Sequence, residues 1–251
     1  MKLSDFFAQN PSFAVAFSGG VDSSLLLCCA KRAGVAVKGY YVKAEFQPQF
    51  ETDDVLKFAR EHSIDVEIID ANVLASPSVA DNPPDRCYYC KRIIFTQIIR
   101  RAKNDGFNLV CDGTNASDDA ADRPGMKALK ELGVVSPLRL CGVTKENIRE
   151  HSRELGLFTA DKPAYACLAT RIATGQRIDV GLLSKIESCE NALFDLGFND
   201  FRVRVAGNCA RLQITPADFA LLSSKQASVS QVLLRHFSDA VVDLKTLRLE
   251  S

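Results

Sequence analysis

The chain has 251 residues, 47% of them hydrophobic and 25% charged, with 31 Lys and Arg against 31 Asp and Glu. That length buries a full core, as one large domain or as a nucleotide-binding domain with a smaller companion. A formal net charge of zero argues against a chain that grips a long polyanion, because phosphate contacts demand a basic surplus. It favours a small-molecule substrate and no nucleic acid. The apolar stretch over 13–17 is only strand-length, so neither a signal peptide nor a membrane span is expected. Nine cysteines without the spacing of a disulfide scaffold point to a reducing, cytoplasmic setting.

In chain order, Phe13-Ala-Val-Ala-Phe17 reads as a buried strand and 23–33 as the helix after it. A strand over 35–43, a helix over 53–62 with apolar Val55, Leu56 and Ala59, and a strand over 65–70 follow. Polar Asn82-Pro83-Pro84-Asp85 leads into a helix over 89–103, and 108–112 makes a fourth strand. Strands alternating with helices at this interval predict parallel βαβ units and a doubly wound, mostly parallel α/β sheet. Ligands in such sheets sit at the carboxyl ends of the strands. Thr144 is placed to cap a helix running to Leu155 and closed by Gly156, and 161–175 is loop-rich. From Asp179 the pattern changes to a helix ending at Leu196, then Phe201-Arg-Val-Arg-Val205, a Gly207-Asn208 turn and a strand over 210–214. That is a hairpin signal, followed by another helix and a last strand near 240–244. The expected division is a nucleotide-binding domain over 1–175 and a small α+β domain over 176–251.

Ser18-Gly19-Gly20-Val21-Asp22-Ser23-Ser24 joins the first strand to the first helix. Its glycines let backbone N–H groups approach phosphate, and the helix N-terminus adds partial positive charge. Ser18, Ser23 and Ser24 supply hydroxyl donors, and Asp22 is placed to orient the loop or assist Mg²⁺. The Gly-Lys-Ser/Thr of a hydrolytic phosphate loop is absent. The segment resembles the loop of the ATP-pyrophosphatase (PP-loop) superfamily, which implies cleavage of ATP between the α- and β-phosphates and AMP transfer to a substrate oxygen. Asp112-Gly-Thr-Asn-Ala-Ser-Asp118 follows the fourth strand, and by the same resemblance Thr114, Asn115 and Asp118 lie beside ATP. Arg123-Pro-Gly125 reads as a mobile active-site loop.

Among the cysteines, Cys87-Tyr-Tyr-Cys90 has the spacing that lets two thiolates face one centre, whether a metal, a cluster or a redox dithiol. No second such pair exists, and His62, His151 and His236 show no ligand spacing. A third ligand would be Cys167, in Tyr165-Ala-Cys-Leu-Ala-Thr-Arg171. Three thiolates on a [4Fe-4S] cluster would leave one iron open to exogenous sulfide. Cys28, Cys29, Cys111, Cys141, Cys189 and Cys209 read as packing residues.

Together these pieces resemble the LarE family of ATP-dependent sulfur transferases that mature the nickel-pincer nucleotide cofactor of lactate racemase. The matching stretches are SGGVDS at 18–23, NPPDRCYYCK at 82–91, DGTNASDD at 112–119, RPG at 123–125 and SPL at 136–138. TKENIRE at 144–150, DKPAYACLATR at 161–171, CENALFDLGF at 189–198 and RVRV at 202–205 complete the match. The resemblance implies adenylation of a carboxylate on a pyridinium dicarboxylate mononucleotide, then displacement of AMP by sulfur to give a thiocarboxylate. In one branch a single cysteine, matched by Cys167, gives up its sulfur. In the other, three cysteines hold a [4Fe-4S] cluster, and with Cys87 and Cys90 beside the Cys167 motif this chain resembles that branch. The resemblance further implies a metal or general-base role for Glu190 and a substrate-phosphate site on Arg202 and Arg204. These two arginines share one strand face and suit an anion. Arg171, near Cys167, would neutralise a carboxylate or AMP phosphate. A homo-oligomer, a sulfide or other sulfur donor and partner proteins of the cofactor pathway are expected. Departures fall at Ile172-Ala-Thr-Gly175, at Gln213 in place of a more usual glutamate, and over 243–251.

Three rivals compete with this reading. A PP-loop tRNA thiolase also pairs the loop with three cysteines, but the zero net charge disfavours it. An ammonia-using ligase like NAD synthetase leaves the cysteines unexplained. A non-catalytic nucleotide or cluster module would bind ATP without substrate-dependent pyrophosphate release.

Overall fold

A computed structural model describes residues 1–118 and 124–244, which divide into two compact units. The first comprises Met1–Ala75 and Asp85–Lys162; the second comprises Ser76–Pro84 and the chain from Pro163 onward. Of the sequence features singled out above, Asp119, Arg123 and the chain end beyond 244 lie outside the described residues.

The first unit opens with α1 (Leu3–Gln9), β1 (Ser12–Ala16), α2 (Val21–Arg32), β2 (Ala36–Lys43), α3 (Gln49–His62) and β3 (Val66–Asp70). A short α4 (Pro77–Ala80) belongs to the second unit. The chain then returns with α5 (Arg86–Asn104), β4 (Val110–Cys111), α6 (Pro124–Glu131), α7 (Pro137–Leu140) and α8 (Lys145–Glu154). The sheet order is β3-β2-β1-β4, and every pairing is parallel, so the predicted doubly wound α/β sheet is the fold observed.

Both faces of this sheet are covered, which is why β1 runs apolar without alternation from Phe13 to Ala16. Phe13, Val15 and Tyr41 join a cluster with Leu25, Leu26, Val55, Phe58 and Ile148 from α2, α3 and α8. Ala14, Tyr40, Val42 and Ile69 turn to the other face, against Ile98 and Ala102 of α5. The unforeseen α1 is too short to stand on propensity. It is held by Phe6 and Phe7, whose rings lie 5.8 and 6.1 Å from that of Phe13. The fourth strand is shorter than expected; Cys111 extends it by a bridge to Val135. Pro124 and Gly125, expected in a loop, begin α6.

The second unit contains α9 (Val180–Asp195), β5 (Phe201–Ala206), β6 (Cys209–Ile214), α10 (Phe219–Leu234) and β7 (Asp239–Val242). The predicted hairpin is present: β5 and β6 pair antiparallel with Ala206 opposite Cys209, and Gly207 takes the left-handed φ of 61° that the tight turn requires. α10 crosses over to β7, which pairs parallel with β6. Alternation along β5 buries Phe201, Val203 and Val205 and leaves Arg202 and Arg204 half-buried on the opposite face. Segment 76–84 is tied into this unit by Asn82, whose amide donates to Ala173 O at 2.8 Å and whose carbonyl accepts from Gly175 N at 2.8 Å. Among the described residues no helix is long and apolar enough to cross a membrane.

Candidate active site

The glycine loop lies between β1 and α2 at the carboxyl end of the parallel sheet. Gly19 has a φ of 75°, and Gly20 is the N-cap residue of α2. A Cβ on Gly19 would stand 3.1 Å from the Val55 side chain, so the loop is pressed close to α3. Serine hydroxyls tie it internally: Ser18 and Ser23 Oγ atoms are 3.2 Å apart, Gly20 N donates to Ser18 Oγ at 3.3 Å, and Ser23 Oγ donates to Gly20 O at 3.3 Å. The result is a closed turn at the N-terminus of a 12-residue helix, a ready site for an anion. Ser24 is fully buried, and its hydroxyl has no hydrogen-bond partner among the described residues. It therefore belongs to the floor of the loop and not to its open face.

Asp112–Asp118 packs directly on this loop. A Cβ on Gly113 would come within 2.8 Å of Ser23 N and 3.2 Å of Asp22 Cβ, a contact that only glycine permits. Asn115 is buried and donates from Nδ2 to Asp22 Oδ1 at 3.1 Å. Thr114 and Asp118 shape the segment itself. Thr114 Oγ1 donates to Asp112 Oδ2 at 2.5 Å, and Asp118 Oδ2 accepts from Asn115 N at 2.9 Å.

Sequence reasoning missed Lys145. Its Nζ donates to both oxygens of Asp22, at 3.0 and 2.8 Å, and its backbone N donates to Ser117 Oγ at 3.0 Å. Thr144 caps α8 by accepting from Asn147 N at 3.3 Å, as expected, and this cap makes Lys145 the first helical residue. A cation at a helix N-terminus opposes the helix dipole. That misplaced charge was the available signal that an anionic partner faces it. Asp22 is thus held by a lysine and an amide at the mouth of the loop, with both side chains of the ion pair about a quarter exposed.

All nine cysteines are thiols. Cys87 and Cys90 lie one turn apart at the start of α5, on one face of the helix. Cys87 is exposed and Cys90 half-buried, and Arg86 Nη2 stands 3.9 Å from Cys87 Sγ. Two thiols on one face suit zinc or an iron–sulfur cluster in donor chemistry. Among the described residues, no three His, Cys, Asp or Glu side chains gather into a metal-holding group. Between Cys87 and Cys90, Tyr88 donates to Glu131 Oε2 at 2.7 Å and fastens α5 to α6. Burial pushes the thiols of Cys28 and Cys189 up to about 11 and those of Cys29, Cys111 and Cys141 upward as well. Such thiols are poor nucleophiles, as packing residues should be.

In the second unit Cys167 stands half-buried as the N-cap residue of a 3₁₀ turn, Leu168–Arg171. Around it Arg171 and Glu190 form an ion pair with each side chain 1% exposed. Arg171 Nε and Nη2 donate to the two Glu190 oxygens at 2.9 and 3.1 Å. Glu190 also accepts from Val203 N at 2.9 Å and from the Tyr165 hydroxyl. Arg202 donates to Asp200 at 3.1 Å and to Ala164 O at 2.5 Å; Arg204 donates to Gln213 Oε1 and Thr170 O, each at 2.9 Å. Burial, then the charges of Arg171 and Arg202, make the Arg204 guanidinium less basic than usual. The structure thus brings Ser18, Gly19, Gly20, Asp22, Ser23, Thr114, Asn115 and Asp118 together in the first unit. It gathers Cys167, Arg171, Glu190, Arg202 and Arg204 in the second.

No family model matches the chain. An uncharacterised Synechocystis protein is 36% identical over 219 residues, covering 86% of this chain and 81% of its own length. The pyridinium-3,5-bisthiocarboxylic acid mononucleotide synthase of Lactiplantibacillus plantarum is 30% identical over 216 residues, 84% of this chain and 78% of that one. The tRNA-specific 2-thiouridylase of Thermotoga petrophila shares 25% identity over 190 residues, 59% of this chain and 53% of that one. The second of these similarities shows that the chain belongs to the LarE family, that of the pyridinium-3,5-bisthiocarboxylic acid mononucleotide synthase.

Proposed function

We propose that this chain is an ATP-dependent sulfur transferase acting on a carboxylated pyridinium mononucleotide. The observation that carries the reading is the glycine loop with Asp22 held between Asn115 and Lys145, in a chain similar over most of its length to a thiocarboxylate-forming synthase. The loop's backbone N–H groups and the α2 N-terminus would bind the polyphosphate of ATP, with Ser18 and Ser23 fixing the turn. Asp22 would offer Oδ2 to Mg²⁺: Oδ1 accepts from both Asn115 and Lys145, whereas Oδ2 accepts from Lys145 and keeps a lone pair.

A substrate carboxylate oxygen attacks the α-phosphorus, the bond to the β-phosphate bridge breaks, and pyrophosphate leaves. Sulfur then attacks the acyl carbon, and AMP leaves with the former carboxylate oxygen, giving a thiocarboxylate. Lys145 is placed to balance the negative charge that collects at the loop. Cys87, Cys90 and Cys167 would be the thiolates to hold a [4Fe-4S] cluster, which would supply the transferred sulfur as sulfide. Without a cluster, the Cys167 thiolate would attack the acyl carbon and displace AMP; loss of its Cα proton with cleavage of the Cβ–Sγ bond would then release the thiocarboxylate and leave dehydroalanine, so each chain would react once. Similarity to the tRNA-specific 2-thiouridylase favours a second reading, in which the attacking oxygen belongs to a tRNA base.

Pyrophosphate release is the test. Release that requires the carboxylated pyridinium mononucleotide supports the proposal; release driven by tRNA or ammonia instead overturns it. Anaerobic purification with iron and acid-labile sulfide assays decides the sulfur source. About four irons per chain, lost in Cys90→Ala, support the cluster, and none after reconstitution leaves single-use donation from Cys167.

A further inference from the structure

We propose that Arg171, Glu190 and Thr170 are positioning residues that fix the backbone carrying Cys167, and that Arg171 does not meet substrate. The proposal rests on the role given to Cys167 above, but its geometry lies wholly in the second unit.

Glu190 is fully occupied. Its two oxygens accept from Arg171 Nε, Arg171 Nη2, Val203 N and the Tyr165 hydroxyl, which leaves no acceptor site for a proton in transit. Arg171 is nearly so. Besides the two bonds to Glu190, its Nη1 donates to Ala166 O and to Thr170 Oγ1, each at 2.9 Å. Thr170 Oγ1 passes the chain on by donating to Cys167 O at 2.8 Å. The guanidinium thus holds the carbonyl before Cys167 directly and that of Cys167 itself through one hydroxyl. With 1% exposure, it presents no surface to a phosphate.

The neighbouring arginines complete the frame, since Arg202 holds Ala164 O and Arg204 holds Thr170 O. Carbonyls 164, 166, 167 and 170 are therefore all fixed by donors that trace back to arginine. A buried ion pair is a costly way to gain stability. A planar fork with several donors in fixed directions is a good way to set backbone geometry. Glu190 anchors that fork to α9 and, through Val203 N, to β5.

The test compares Thr170→Val, Arg171→Lys and Glu190→Gln with wild type by amide exchange over 164–171, by Cys167 alkylation at one fixed pH, and by kinetics. Thr170→Val removes only the hydroxyl link, so it keeps the fold even where the buried variants do not. It is expected to leave pyrophosphate release unchanged while amide exchange over 164–171 rises about tenfold through local opening. Thiolation kcat falls, with KM for the nucleotide substrate unchanged. Wild-type exchange and alkylation in Thr170→Val overturn the proposal, as does a raised KM with kcat retained in Arg171→Lys, which would mark a substrate contact. Faster exchange in the variants of a chain whose wild type forms no thiocarboxylate upholds the frame and refutes the sulfur-transfer reading instead.

Discussion

The two units build their sites in opposite ways. At the glycine loop, charge is kept near water: Asp22 and Lys145 are each about a quarter exposed, and the surrounding groups are short side chains and backbone. At Cys167, charge is taken out of water, and the arginine and the glutamate that frame the cysteine are 1% exposed. An exposed pair can exchange its partner for an incoming ion at little cost. A buried, saturated pair cannot, and serves as scaffold. The same residue types therefore read as binding groups in one unit and as framework in the other.

Breaking the buried pair should have the largest effect. Arg171→Leu leaves the Glu190 carboxylate desolvated and is expected to cost about 3–5 kcal/mol, read by denaturant unfolding with exchange of β5 as the local probe. Adding Glu190→Leu should restore much of that loss, because a matched apolar pair replaces an unpaired charge. In the first unit, Gly113→Ala places a methyl 2.8 Å from Ser23 N. It should cost about 1–3 kcal/mol by overpacking and weaken ATP binding measured by calorimetry. Lys145→Met separates stability from chemistry: the quarter-exposed pair contributes under about 1 kcal/mol, yet pyrophosphate release should fall about tenfold or more. A variant that releases pyrophosphate at the wild-type rate would remove Lys145 from the site.

An effect that shows only at alkaline pH is shared by both units. Burial raises the thiols of Cys28 and Cys189 from 9.0 to about 11. In that interval the unfolded chain loses protons that the folded chain keeps, so stability is full below pH 9 and declines towards pH 11. Cys28→Ala should flatten the decline for the first unit and Cys189→Ala for the second, each measured by unfolding at stepped alkaline pH.

Much of the first unit was legible because its signals are local. The run at 13–17, the glycine loop and the spacing of strands and helices specify parallel βαβ units without reference to distant residues. Thr144 announced its cap, and Gly207-Asn208 its hairpin, for the same reason. Lys145 was hidden because its partner lies 123 residues away, and only its unfavourable place at a helix start hinted at it. The alternation in Arg202-Val-Arg204 gave the strand face correctly but could not say what the arginines hold, since Ala164 and Thr170 are brought there by tertiary structure. Glu190 sits among Cys189, Asn191 and Ala192 in a sequence equally suited to an exposed helix face; its burial follows from α9 packing against β5.

The excursion of 76–84 into the second unit has a bearing on how the chain reaches its fold. Asn82 closes its bonds with residues 90 and 91 positions further on, so during synthesis this segment leaves the ribosome long before its partners exist. Contacts of such separation form late and slow the search. The first unit must meanwhile carry an unsatisfied loop between β3 and α5, directly before Cys87. A fragment starting at Pro163 would lack that segment altogether. The second unit is therefore inherited in two pieces, and a gene split anywhere between residues 84 and 163 would divide it, even one placed after β4 that leaves the parallel sheet whole.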